Sequence, residues 1–295
     1  MFKVHLLALA AASFVFTSPA SPFADEIISY DPGVGFASRF TNPDAALGEP
    51  SRINPYGDAT DPFDPPYGTN QIVSIGAGGS LVVQFQTPIL NHPNNLYGFD
   101  FIIFGNAFFT VTNWIGTPAT DGSLFTQSAG ATRVSVSRDG VSFYLLNPAL
   151  APAVDSFPPT DGSGDFHLPL APAVMQSDFA GATLDDIRVL YNGSGGGAAY
   201  DISWAQDANE NSVFLPEINF IRVDVLSGKA EIDAFAAVLR QPRQGGPPGL
   251  HQALHPLPAR NEWGEDRGEG KPIETHLLSP ALSSIRWRRG RNRGA

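Results

Sequence analysis

Oxygen-bearing side chains at alternate positions are the feature of this sequence that most suggests chemistry. Asp207, Asn209 and Asn211 follow one another in this way in the stretch DANENS. Calcium is held by several oxygen ligands, and alternate side chains of a tight loop can supply part of such a set. The pattern therefore makes Asp207, Asn209 and Asn211 the candidate metal ligands and calcium (Ca²⁺) the candidate cofactor.

The same stretch has a second interpretation. An EF-hand loop needs glycine at its sixth position and glutamate at its twelfth, whereas those positions hold Ser212 and Ile218 here. Asp and Asn also stabilise metal-free turns by accepting hydrogen bonds from nearby backbone N–H groups. A polar turn therefore remains the alternative to a calcium loop. The stretches TDGSGD (160–165) and DPFDPP (61–66) are further acidic loops with the same two interpretations.

The sequence contains little that indicates an enzyme active site. His92 and His167 are the only histidines between residues 25 and 238, and neither lies in a recognisable motif. The G-x-S-x-G and H-E-x-x-H motifs of hydrolases are absent, and GSGGG (193–197) lacks the Lys-Ser/Thr of a phosphate-binding loop. Acidic pairs are common enough for a glycosidase-like mechanism, but nothing selects one of them. No catalytic residue is predicted, and an enzyme is the alternative reading.

Aromatic side chains in loops are the candidate sugar-binding groups. An aromatic ring offers a flat apolar face with a polar handle, and sugar-binding β-sandwich modules stack such faces on their ligands. Trp114, in the loop TVTNWIGTP, is the candidate ligand platform, and Tyr56 and Tyr67 are further candidates in another loop. Trp204 lies in a strand-like run and is expected in the core.

Composition and charge narrow the class of partner. Of 295 residues, 42% are hydrophobic, and there are 30 glycines and 26 prolines, which is typical of many short strands and turns. Residues 25–238 carry 24 acidic and 7 basic side chains, a net charge of −17. Such an acidic body is a poor match for nucleic acid, and no nucleic-acid partner is expected. The chain has no cysteine, which excludes disulfides and thiolate metal sites.

The N-terminal stretch predicts export. Lys3 is followed by an apolar run from Leu6 to Phe16 and then by small residues and prolines, the order of a secretory signal peptide. The run is too short for a stable membrane anchor, and no later stretch is long and apolar enough. We therefore predict a signal peptide at residues 1–24 and an exported protein, extracellular or at the cell surface, with no transmembrane anchor in this chain.

Strand and turn patterns predict the fold. Helical periodicity is weak, apart from a short helix expected near residues 43–47, and the long loops 54–70 and 147–174 are rich in Pro, Gly and Asp. We therefore predict an all-β, antiparallel, jelly-roll-like β-sandwich over residues 25–238. Single strands are expected in SLVVQFQ (80–86), GFDFIIFGNAFF (98–109) and DIRVLY (186–191). Two hairpins are also expected. The first is TRVSVSRDGVSFYLL (132–146), with a tight turn at Asp139-Gly140, and the second is INFIRVDVLSGKAEIDAFAAV (218–238), with a turn at Ser227-Gly228.

The chain changes character after residue 238. Residues 239–295 carry 5 acidic and 10 basic side chains, a net charge of +5, and show no apolar periodicity. Such a composition cannot bury enough apolar surface to offset the entropy of ordering. We therefore predict a disordered basic tail over residues 239–295.

An ordered set of motifs resembles a known family. The stretches NPDAALGEPS (42–51), SIGAGGSLVVQFQTPILN (74–91), DFIIFGNAFF (100–109), ATRVSVSRDGVSFYLL (131–146) and DISWAQDANENSVFLPEINFIRVDV (201–225) occur in this order. Together they resemble exported bacterial cell-surface proteins, many of which end in a Pro-Glu-Pro (PEP-CTERM) sorting signal. The resemblance covers roughly residues 28–238. It implies a secreted jelly-roll domain, distantly like discoidin and carbohydrate-binding modules, and no known catalytic residue.

The end of the chain departs from the family pattern. A basic cluster is present near the C-terminus, but no Pro-Glu-Pro motif and no apolar span precede it, which favours release over anchoring. The expected function is a secreted or cell-surface, non-enzymatic binding or structural protein of the bacterial envelope or extracellular matrix. Extracellular polysaccharide or another envelope component is the expected partner. The alternatives are a carbohydrate-active enzyme on the same fold and a purely structural domain without a small ligand.

Overall fold

Strands dominate the computed structural model, which describes residues 21–113, 115–125 and 130–239. Most of the predicted signal peptide and nearly all of the predicted tail lie outside the described residues. The strands are β1 (Glu26–Asp31), β2 (Val73–Gly76), β3 (Ser80–Leu90), β4 (Phe101–Gly105), β5 (Phe109–Asn113), β6 (Ala119–Leu124), β7 (Ala131–Ser137), β8 (Tyr144–Leu146), β9 (Ala198–Tyr200), β10 (Ala205–Gln206), β11 (Glu217–Ser227) and β12 (Lys229–Ala237), and one α-helix, α1 (Leu184–Tyr191), is described. Short 3-10 turns lie at Pro43–Ala46, Leu96–Gly98, Gln176–Phe179 and Ile202–Trp204.

The strands form two main antiparallel sheets. The larger sheet has the strand order β1-β3-β11-β7-β8-β10, and the smaller has the order β2-β12-β4-β9. Strands β5 and β6 pair separately. Successive strands often change sheets, since β2, β4 and β12 lie in the smaller sheet whereas β3 and β11 lie in the larger. The prediction of an all-β antiparallel sandwich is confirmed, with β4, in the predicted buried stretch, between β12 and β9.

Alternating side chains of both sheets build the core between them. On β11, Ile221, Val223 and Val225 point inward and are almost completely buried, while the residues between them are partly exposed. This follows from the period of two in a strand. The facing strand β12 contributes Ile232 and Phe235, both 0% exposed. The same apolar cluster includes Val83, Phe85, Phe101, Ile103, Val136 and Tyr200.

The predicted hairpin at residues 218–238 is wrong in one respect. Strands β11 and β12 follow each other directly, and Gly228 turns between them at φ 67°. They do not pair, however, because β11 pairs with β3 and β7 and β12 with β2 and β4. The alternation and the turn signal fit a sheet-to-sheet corner as well as a hairpin, because both require an apolar face on each strand. The hairpin β7-β8 is confirmed, although its connection is longer than a two-residue turn.

The predicted strand at residues 186–191 is also wrong, because these residues end helix α1. Thr183 caps the helix by accepting a hydrogen bond from the Asp186 N–H, and the Asp186 carboxylate bonds back to Thr183, which is a capping box. Ile187 and Tyr191, four residues apart, are buried, whereas Val189 is 77% exposed. The sequence places apolar residues at every second position, and only burial distinguishes the helical spacing.

Long loops cover the outer face of the smaller sheet. A small apolar cluster that includes Ile102, Phe104, Phe166 and Ala236 lies on this side. The Arg52 guanidinium lies 4.3 Å from the centre of the Phe166 ring and donates to the carbonyl groups of Gly162 and Gly164. The loops are thus packed on the sheet and carry the site described below. No helix among the described residues could cross a membrane by length and apolarity.

Candidate functional site

A buried carboxylate on β12 anchors the loop that carries the candidate site. A β-bulge between Ile232 and Ala234 includes Asp233, which is 2% exposed. The Asp233 carboxylate accepts hydrogen bonds from the Ser51 N–H at 2.8 Å and the Ser51 hydroxyl at 2.7 Å. The Thr60 hydroxyl donates to the Ser51 carbonyl at 2.6 Å. These contacts hold Ser51 and Thr60, which lie on either side of the turn at residues 54–58, beside strand β12 of the smaller sheet.

Asn54 organises the tip of this loop. Its side chain is buried, at 4% exposure, and its Oδ1 accepts hydrogen bonds from the N–H groups of Tyr56 at 2.9 Å and Asp58 at 3.1 Å. Its Nδ2 donates to the Asp64 carboxylate. Gly57 has a φ of 94°, which glycine adopts without strain. One buried amide therefore fixes the backbone that carries the exposed side chains of Tyr56 and Asp58.

Two tyrosine rings form the surface of the site. The ring centroids of Tyr56 and Tyr67 lie 5.7 Å apart, with an angle of 54° between the ring planes. Tyr56 is 80% exposed. Loss of hydration raises the pKa of the Tyr67 hydroxyl, and the negative charges of Asp64 and Asp58 raise it further. We call Asn54, Tyr56, Asp58, Asp64 and Tyr67 the tyrosine site. It offers aromatic faces beside carboxylate acceptors and hydroxyl groups.

The two secondary acidic loops meet beside the tyrosine site. The Gly162 N–H donates to the Thr60 carbonyl at 3.0 Å, which joins the loop 160–165 to the loop 54–70. The Asp61 carboxylate accepts from two N–H groups of its own turn. The Asp161 carboxylate forms an ion pair with Arg188 at 2.8 Å and accepts hydrogen bonds from Ser163. Both carboxylates therefore already stabilise the loops in this structure.

The residues predicted as calcium ligands form a polar turn. The Asp207 Oδ1 accepts from the N–H groups of Asn209 at 2.8 Å and Asn211 at 2.9 Å. The Asp207 Oδ2 accepts from the Asn211 side-chain amide at 3.2 Å. These bonds, led by that from the Asn211 backbone, lower the pKa of Asp207. Within the described ranges, no three or more His, Cys, Asp or Glu side chains are grouped as metal ligands. The geometry favours the turn, and calcium binding here stays a prediction to be tested.

Chelation distinguishes the turn from a calcium loop. We expect the melting temperature to be the same with and without EGTA, because the Asp207 carboxylate already accepts the bonds that hold its loop. Replacing Asp207 with alanine should lower the melting temperature equally in both conditions. Differential scanning fluorimetry measures both effects. A drop on chelation that Asp207→Ala abolishes would establish calcium binding at this loop.

The two predicted tryptophan positions have different outcomes. Trp114 lies outside the described residues. Trp204 is partly buried and packs against the central core, and its ring meets that of Phe99 edge-on, with centroids 6.0 Å apart. Both rings also line a mainly apolar cleft of about 210 Å³, together with Phe157 and Leu170. The expectation that Trp204 belongs to the core is therefore met only in part, because one side of the ring faces this cleft.

Four titratable groups outside the tyrosine site support the scaffold: His167, Asp100, Asp155 and Asp233. The His167 ring nitrogen Nδ1 lies 2.8 Å from the Ala237 carbonyl oxygen. Burial raises the pKa of Asp100 to about 6 and that of Asp233 to about 7. Burial and then the neighbouring Glu231 raise the pKa of Asp155 to about 7. All three carboxylates accept hydrogen bonds from backbone N–H groups, so their shifted pKa values reflect structural roles.

Sequence reasoning missed the residues that position the tyrosine site. Asp233 could have been found, because it is an acidic residue in the mainly apolar stretch AEIDAFAA of strand β12, where Glu231 is the second acidic residue. An acidic side chain in a buried strand needs hydrogen-bond partners. Asn54 begins a turn-forming stretch, but its burial follows from tertiary contacts with Asp64. The pairing of Tyr56 with Tyr67, eleven positions apart in the chain, has no signal in the sequence.

Comparison with known proteins adds no assignment to this geometry. A scan against models of protein families gives no match, and a search of curated proteins gives no significant match.

Proposed function

We propose that the protein is an exported, non-enzymatic binding protein of the bacterial envelope or extracellular matrix that contacts polysaccharide through the tyrosine site. The observation that carries the proposal is the pairing of Tyr56 and Tyr67, whose ring centroids are 5.7 Å apart, on the loop in which Asn54 binds the Asp58 N–H and the Asp64 carboxylate. Export is supported by the signal-peptide pattern at residues 1–24.

The chemistry of the site suits a sugar. The face of a pyranose ring carries C–H groups that pack on aromatic rings, and its hydroxyl groups need acceptors and donors at the edge. Tyr56 and Tyr67 supply the rings and hydroxyl groups, and Asp58 and Asp64 supply acceptors. Aromatic side chains give a large contact area at a small cost in conformational entropy. A site on the surface of a rigid loop suits a long polymer that passes across it.

The rigidity of the loop supports binding without large rearrangement. Asn54 holds the backbone of Tyr56 and Asp58, and Asp233 holds Ser51 at the base of the loop. A preorganised site loses little conformational entropy when its ligand binds. The same anchoring by two buried side chains favours a binding role over a loop that only connects strands.

Replacing Tyr56 with alanine should weaken glycan binding. One ring of the pair is lost, whereas the buried hydrogen bonds of Asn54 involve the Tyr56 backbone and remain. The measurement is a glycan array followed by titration calorimetry with the best ligand. We expect an affinity loss of about tenfold or more, since each tenfold corresponds to about 1.4 kcal/mol.

The matched control is Phe214→Ala. Phe214 is 82% exposed and lies outside the tyrosine site, so its removal should leave glycan binding unchanged. If wild type and Tyr56→Ala bind the glycan equally, the binding site lies elsewhere on the protein. If no glycan on the array is bound, a purely structural domain is favoured. Release of shortened glycan products during the titration would favour the carbohydrate-active enzyme instead.

A further inference from the structure

The charge around the tyrosine site is negative. The Asn54 amide accepts from the Asp58 N–H at 3.1 Å and donates to the Asp64 carboxylate, so both acidic residues belong to the loop that carries Tyr56, and their charges raise the pKa of the Tyr67 hydroxyl. Asp58 is exposed, and the Asp64 carboxylate accepts a hydrogen bond from the neutral Asn54 amide. The ion pairs found in the described part of the chain involve neither Asp58 nor Asp64. Both carboxylates therefore lie in the tyrosine site without an ion-pair partner among the described residues.

Arg52, just before the loop, and Arg188, on helix α1, are both paired with other groups. Arg52 pairs with Glu49 at 2.7 Å and donates to the Gly162 carbonyl at 2.6 Å. Arg188 pairs with Asp161 at 2.8 Å. An acidic polysaccharide would bring its own negative charges towards Asp58 and Asp64, which have no ion-pair partner in the part of the chain that the structure describes. Like charges brought together in this way repel each other, so the site disfavours uronic acids, sulfates and phosphates.

A positively charged group can interact with both the tyrosine rings and the carboxylates of the site. The face of a tyrosine ring attracts an ammonium group through its quadrupole, and a carboxylate accepts strong hydrogen bonds from the same group. Tyr56 and Tyr67 offer two such faces at an angle of 54°. An uncharged sugar would use the ring faces but would leave the two carboxylates without a counter-charge. The combination therefore selects for a sugar that carries a positive charge.

We propose that the ligand of the tyrosine site is an amino-sugar polymer with free, protonated amines, such as a de-N-acetylated glucosamine chain. This inference rests on the proposed function, since it names the ligand class of the same site. The sugar face packs on Tyr56 and Tyr67, and an amine interacts with the ring faces and with Asp58 and Asp64. N-acetylation removes the charge and so weakens binding.

Matched oligosaccharides test the proposal. Calorimetric titrations of the full-length protein would use the tetramers of glucosamine, N-acetylglucosamine and galacturonic acid, at a mildly acidic pH at which the amines are protonated. We expect the glucosamine tetramer to bind at least about tenfold more tightly than its N-acetylated form. Added salt should reduce this preference, because it screens exposed charges. The galacturonic acid tetramer should bind most weakly.

Charge-neutral variants distinguish the effect of the Asp58 and Asp64 carboxylates from that of the negative charge of the whole chain. Asp58→Asn/Asp64→Asn keeps the shape of the site and should remove the preference for the amine, leaving weak binding of both glucosamine oligomers. The control Asp44→Asn/Asp121→Asn removes the same charge from exposed positions outside the site and should keep the preference. Melting temperatures verify folding. Should the double variant fail to fold, the exposed position alone, Asp58→Asn, tests the same loss.

The outcomes separate this inference from the proposed function. Binding of the neutral or acidic tetramer as tightly as the glucosamine tetramer, lost in Tyr56→Ala, would overturn the amine preference and keep the polysaccharide-binding role. If both double variants lose the amine preference equally, the oligosaccharide amines are attracted to the acidic chain as a whole. That result would also overturn the proposal of an amine-binding tyrosine site. Absence of binding to every glycan tested would overturn the proposed function and the inference together.

Discussion

Replacing Phe235 with alanine should lower the free energy of unfolding by about 3–5 kcal/mol, the usual cost of truncating a buried phenylalanine. The Phe235 side chain is 0% exposed and lies in the cluster between the two sheets. Its strand, β12, is an inner strand that pairs with β2 on one side and with β4, opposite Ile103, on the other. Because strands on both sides hold the backbone, the cavity left by the ring cannot collapse easily. Urea denaturation measures the loss as a lower midpoint.

Phe214→Ala is the matched control for this substitution. The same side chain is removed at a position that is 82% exposed, so the unfolding midpoint should change little. A harmless Phe235→Ala, or equal losses for both variants, would contradict the assignment of Phe235 to the core and the position of β12 within the smaller sheet.

Stability should fall as the pH rises from about 4 to about 7. Burial raises the pKa of Asp233 from 3.8 to about 7 and that of Asp100 from 3.8 to about 6. Between the unfolded pKa of 3.8 and the raised folded pKa of each group, the folded protein holds a proton that the unfolded chain has released. The free energy of unfolding therefore decreases as the pH rises. The stabilisation by protonated Asp233 is fully present below pH 3.8 and is lost as the pH rises through about 7. For Asp233 alone it amounts to as much as about 4 kcal/mol.

Exposed carboxylates act in the opposite direction at lower pH. Hydrogen bonds from the backbone of Ser142 and Val141 and from Ser137 lower the pKa of Asp139 to about 2, so its stabilising effect is lost as the pH falls below 3.8. The two effects together predict a stability maximum near pH 4. Urea midpoints measured at intervals across this range would locate it.

Asp233→Asn removes one of the two largest contributions to the pH dependence; the other is that of Asp155, whose pKa burial and the neighbouring Glu231 also raise to about 7. Asparagine keeps the shape and a carbonyl acceptor for the Ser51 N–H but does not titrate, so the decline between pH 4 and 7 should become shallower. Asp44→Asn, at an exposed position, should leave the decline unchanged. A stability that rises over this range in the wild-type protein would mean that Asp233 and Asp100 are stabilised as anions, which is contrary to the effect of their burial.

Local patterns predicted the strands better than their partners. The alternation of Ile221, Val223 and Val225 with polar residues correctly placed β11, and the apolar run around residues 101–105 correctly placed a buried strand. The same patterns did not decide whether β11 pairs with β12, since an apolar face is required in a hairpin and in a sheet-to-sheet corner alike. The choice depends on pairing with β3, β7, β2 and β4, which lie far away in the sequence.

The candidate site shows the same division. The sequence singled out Tyr56 and Tyr67 as aromatic residues in a loop and Asp207 as an acceptor in a loop. It could not show that the two rings pair or that the Asp207 carboxylate bonds to its own turn. Both facts depend on how each loop closes, and loop closure is fixed by hydrogen bonds such as those of Asn54.

The sequence by itself determined the class of fold, because a period of two in apolar residues and frequent turn signals require only local geometry. It also determined the acidic charge of residues 25–238 and the absence of thiol chemistry, which are matters of composition. Tertiary structure alone decided that residues 184–191 form a helix, that β11 and β12 belong to different sheets, and that Asp233 supports the tyrosine site. The physical reason is that burial and long-range hydrogen bonding select among local conformations of similar energy.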